Sequence, residues 1–218
     1  MNPVLRTIES LDWMTLTLVS SLLIMTLGKY LFKIKFLNFL ILPFNNKYIV
    51  LSNKKGRLLN WFHIFMTFFQ YINLALFIFL IKRMWFGYLT EDTFYFFLIT
   101  LAFVTVFHVL KILLQLFKSF AFNTQDMVWD LIYNKSTYFN YSSLVMFVSN
   151  VLLIYVLKDS KTVIYVAIAL ILSINAIGLI KLVKNYQKVI INDLFYFILY
   201  LCALEIAPLV VIGSYLKG

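Results

Sequence analysis

The chain has 218 residues, of which 63% are hydrophobic and only 13% charged, with a mean hydropathy of +0.91. A soluble domain is roughly half apolar and a quarter charged, so this chain has too little polar surface to coat a water-soluble globule. Its formal charge of +10 does not call for nucleic acid, because basic residues in a membrane protein also set orientation and are counted loop by loop.

In chain order, six apolar runs approach the ~20 residues that span a bilayer: about 12–32, 58–81, 93–117, 142–157, 162–180 and 194–215. They are continuously apolar, whereas membrane strands alternate, so helices are the expected spanning form. The expectation is an all-α membrane protein, a single domain over 1–218 with about six transmembrane helices in one bundle. The 142–157 run is the shortest.

Two segments are not expected to span. Ile34 to Phe44 holds 11 residues, contains Pro43 and is followed by the turn pair Asn45-Asn46. It reads as an interfacial or shallow re-entrant piece. Between the third and fourth runs, Asp126, Asp130 and Asn134 share one face at i, i+4, i+8, with Met127, Val128 and Leu131 to one side. That pattern predicts an amphipathic helix near 123–134, lying on the membrane surface or docked on the bundle.

With the N-terminus outside, the inner loops carry eleven basic residues and the outer segments six. The bias comes chiefly from the first inner loop, with Lys33, Lys35, Lys47, Lys54, Lys55 and Arg57. Both termini are therefore expected on the outer side, with no cleaved signal peptide. The basic loop either fixes topology alone or also docks anionic lipid or an acidic partner. Trp13, Trp61 and Trp85 fall near span ends, as interfacial anchors do.

Catalytic and metal motifs are missing from the sequence. There is no P-loop, no HExxH and no glycine-rich nucleotide fingerprint, and Cys202 is the single cysteine. No cofactor and no metal are expected. The candidates for function are instead polar groups at membrane depth, where insertion is costly. Glu205 lies near the middle of the last run, three residues before Pro208. Three roles are open to it: a neutral acid bonded to a loosened helix carbonyl, a proton- or cation-binding group, or a partner for a basic group on another subunit. On the third run His108, Lys111 and Gln115 share a face, and on the second His63, Thr67, Gln70 and Asn73 do so. Asn150 and Asn175 add to the set, and hydrogen bonding between helices is the ordinary use of such stripes. They are expected to converge inside the bundle with Glu205.

The closing stretch FYFILYLCALEIAPLVV carries Tyr200, Leu201, Cys202, Glu205 and Pro208. This Tyr-Leu-Cys-x-x-Glu-x-x-Pro pattern resembles the C-terminal signature of a family of integral membrane proteins of the Bacteroidota with no assigned activity. The PFNNKY stretch and the segment around Asn123 to Asn134 are similar as well. The resemblance implies a location in the cytoplasmic membrane of a Gram-negative bacterium, so the outer side on which the charge bias places both termini is the periplasm. It leaves two functions in competition. One is a non-enzymatic subunit of an envelope complex, for which the phylum suggests its secretion and gliding machinery, with the lipid bilayer and other membrane subunits as partners. The other is a small proton-coupled transporter using Glu205 with His108 or Lys111. A lipid-modifying enzyme is a weaker third, since the histidines are scattered and Glu205 is deep.

Overall fold

The computed structural model describes residues 12–44, 49, 60–86, 93–121, 125–158 and 160–185. Among these residues the chain is all helical: α1 (Asp12–Leu31), α2 (Lys33–Leu40), α3 (Trp61–Phe86), α4 (Thr93–Ala121), α5 (Gln125–Val151) continuing into a π-helical turn (Leu152–Val156), and α6 (Lys161–Asn185). Five of these helices are long and apolar enough to cross a membrane, which marks the chain as a membrane protein. The expected run 194–215 lies outside the described residues.

Helices α3 and α5 form the centre. The apolar window of α3 is 56% buried and that of α5 44%, against 11% for α4 and 17% for α6. Helices α1 and α4 pack on α3, and α6 packs on α5. Consecutive helices alternate in direction, so α3 and α5 run parallel, with α4 as the return crossing between them. Two apolar clusters fill the interior. One, with Met14, Leu76, Phe79, Phe97 and Ile154, lies at the end where α1 begins. There the Trp13 ring meets Phe79, Phe94 and Phe97 at centroid distances of 5.2, 5.7 and 5.4 Å. The other, with Phe36, Phe39, Leu42, Phe62, Met66, Tyr133 and Tyr138, lies at the opposite end, called the basic end below.

Helix α2 is too short to span, at 8 residues. Phe36 and Phe39 enter the second cluster, and the turn Ile41–Phe44 follows. This turn is held from two sides. Tyr141 Oη donates to the Leu40 carbonyl at 3.2 Å, and Lys181 Nζ donates to the Pro43 carbonyl at 2.9 Å and the Leu42 carbonyl at 3.4 Å. Ile34, Leu37 and Phe44 stay exposed, so α2 buries one apolar face and presents another.

The expected surface helix near 123–134 and the expected span 142–157 are one continuous helix, α5. The stretch between them is polar because it faces protein rather than because it is a loop. Thr137, Asn140, Ser142 and Ser143 are all 0% exposed. The α3–α5 register sets Asn134 level with Trp61, so the residues before it extend the helix past the start of α3. There Leu131, Ile132 and Tyr133 are buried. The segment is coaxial with a span and does not lie flat, and Asn134, expected on its polar face, is buried at 6% exposure.

Candidate functional site

The feature of greatest chemical interest is a polar seam between the parallel helices α3 and α5. On α3, His63, Thr67 and Gln70 follow one another at spacings of four and three; on α5, Ser136, Asn140 and Ser143 do the same. This spacing keeps side chains on the facing side of two helices that wind about each other. The register is 73 residues. His63 Nε2 and Ser136 Oγ are 3.1 Å apart, and Asn140 Nδ2 donates to Thr67 Oγ1 at 3.1 Å. The Thr67 hydroxyl donates in turn to the His63 carbonyl. Farther along, Asn150 Nδ2 donates to the Asn73 carbonyl at 3.0 Å. The seam continues sideways to α6, where Asn175 Nδ2 donates to Ser142 Oγ at 2.9 Å.

Burial is close to complete. His63 is 4% exposed, and Gln70, Asn73, Asn140 and Asn150 are 0% exposed. Not every polar atom is matched. Both Gln70 Nε2 and Oε1, and the side-chain oxygens of Asn73, Asn140 and Asn150, have no hydrogen-bond partner among the described residues.

The stripe read on the second run thus lies inside the bundle, bonded to α5. His108 of α4 is half-buried beside it, its ring parallel to Phe139 at 6.2 Å and edge-on to Tyr71 at 5.4 Å. Lys111 is half-buried, and Gln115 is buried at 4% exposure. His108 thus meets α3 through Tyr71, one turn after Thr67, and α5 through Phe139, next to Asn140. Of the basic loop, Lys33 is exposed, while Lys35 Nζ donates to Asn60 Oδ1 at 2.8 Å and ties α2 to the start of α3. Lys47, Lys54, Lys55, Arg57, Tyr200, Cys202, Glu205 and Pro208 lie outside the described residues.

Sequence reasoning missed the α5 half of the seam: Ser136, Asn140 and Ser143. The signal was available in their four-then-three spacing, which duplicates that of His63, Thr67 and Gln70. Among the described residues no three His, Cys, Asp or Glu side chains gather as a metal site would require.

Residues 14–216 match a family described as domain of unknown function (DUF4271). No curated protein and no solved structure matches the chain.

Proposed function

We propose that this chain, which belongs to the DUF4271 family, is a non-enzymatic integral subunit of a cell-envelope complex in a bacterial cytoplasmic membrane. The observation that supports this reading best is the use made of the polar residues at membrane depth. His63, Thr67, Asn140, Asn150 and Asn175 each bond across or along helices, which is how polar side chains hold a membrane bundle together. The long, apolar and open sides of α4 and α6 then serve as contact surface for lipid and for other membrane subunits. The excess of lysines toward the basic end favours that end as cytoplasmic, with the N-terminus on the periplasmic side. A link to the secretion and gliding apparatus of the Bacteroidota is the setting this reading favours.

A second reading, a proton-coupled protein using Glu205 with His108 or Lys111, draws support from the unmatched carboxamides of the seam. One experiment separates the two. The protein is pulled down from native membranes in mild detergent, as wild type and as Glu205→Gln. Defined partners in both preparations, with the cellular phenotype intact in the variant, favour the subunit reading. A protein that emerges alone, and whose Glu205→Gln form folds without functioning, overturns it in favour of proton coupling.

A further inference from the structure

We propose that the α3–α5 seam binds buried water between His63 and Asn150. Its ligand is water itself, held by side-chain amides. The unmatched atoms motivate this. Within the seam four side-chain oxygens lack a donor among the described residues, those of Gln70, Asn73, Asn140 and Asn150, and the Gln70 amide lacks an acceptor. All four residues are 0% exposed. A buried amide left without a partner is destabilising, and native proteins match such groups with protein or ordered water. The seam has a surplus of acceptors, and water brings two O–H donors to each site while accepting from the Gln70 amide.

The register spreads these atoms along the helix axis. Asn140 stands level with Thr67 and Ser143 with Gln70, while Asn150, whose amide reaches back to the Asn73 carbonyl, stands level with Phe77. From Trp61 to Asn73 is twelve residues, about 18 Å along the axis, and Asn73 is the thirteenth of the 26 residues of α3. Past Asn150 the interior turns apolar, with Phe79 1% and Ile154 2% exposed. At the other end the seam begins at His63 and Ser136, where the Tyr133 ring lies 5.0 Å from the imidazole and Phe62 is 0% exposed. The seam is closed by packing at both ends, so its water is held in place rather than conducted.

Two measurements test it. The first is solid-state NMR of the full chain in lipid nanodiscs, following magnetisation transfer from water to the side-chain amides of Gln70 and Asn150. Build-up several-fold faster than at the lipid-facing backbone of Phe68 is expected. Build-up no faster than at Phe68 overturns the proposal. The second is the melting temperature of Gln70→Met. In a wet seam this variant strands the neighbouring oxygens and lowers the melting temperature by about 2–4 °C, the shift that a lost interaction gives in a chain of this size. In a dry seam it removes two unmatched groups, and a raised melting temperature would overturn the proposal even if the NMR amides were unassigned.

Discussion

The side-chain amide of Asn150 donates to the backbone carbonyl of Asn73 at 3.0 Å, joining α5 to the midpoint of α3. Replacing Asn150 by leucine keeps the bulk and deletes the donor. Interhelical hydrogen bonds in membranes average about 0.6 kcal/mol and reach about 1.7 kcal/mol. The position is fully buried, so a loss of about 1 kcal/mol is expected, seen as a lower unfolding midpoint in detergent. An unchanged midpoint would show that the contact carries no net stability.

His63 and Ser136 meet at 3.1 Å, and neither is more than 7% exposed. A double-mutant cycle with His63→Leu and Ser136→Ala isolates their coupling. A coupling of about 0.5–1.5 kcal/mol is expected. Strict additivity of the two single variants would mean that the imidazole and the hydroxyl do not act as a pair.

Gly178 gives α6 its close approach to α5. A Cβ added there would stand 2.5 Å from Tyr138 Cγ and 2.6 Å from Cδ2, atoms at the root of a ring that is 1% exposed. The ring cannot swing aside, so Gly178→Ala costs about 1–3 kcal/mol through overpacking. Gly28 provides the contrast. Its added Cβ would meet the flexible terminal methyl of Met66 at 3.0 Å, and Gly28→Ala is expected to be the milder variant. Parallel melts of the two decide the matter, and equal tolerance would refute the account of α5–α6 packing.

Lys181 anchors the turn after α2 through the carbonyls of Leu42 and Pro43. Its side chain is only half-buried, so solvent screens much of the charge, and a contribution of about 1 kcal/mol is expected. Lys181→Met should speed amide exchange at Leu42 and Phe44 while leaving α3 and α5 protected. Slow exchange at that turn in the variant would place its anchoring elsewhere, with Tyr141 as the remaining contact.

The sequence made helix length legible wherever a run was apolar on every side. The first, second, third and fifth expected spans each fall on one helix, with ends shifted by a few residues. The stretch Ile34 to Phe44 was legible as a non-spanning piece because it is short, and it holds most of α2 and the turn after it. The fourth span was not, because its first half faces α3 and α6 rather than lipid. Side chains such as Ser136, Asn140 and Ser143 lower the local hydropathy while lying at the centre of the bundle, so a length-and-hydropathy criterion places a loop inside a helix. The α3 stripe could be read from its spacing on a single helix. Its partner could not, since the pairing depends on a tertiary register between segments 73 residues apart in the chain.

That separation also has a consequence for how the protein is made. When α3 leaves the ribosome, its polar face has no mate, and the helix made next is the return crossing α4. The matching face of α5 follows 73 residues behind, which at ~5–20 residues per second is on the order of 4–15 s. Over that interval His63, Thr67, Gln70 and Asn73 must be sheltered from lipid by the insertion machinery or by α1. The parallel pairing therefore makes biogenesis a waiting problem. A chain truncated before α5 would present this uncovered stripe as a mark of incompleteness for membrane quality control to read.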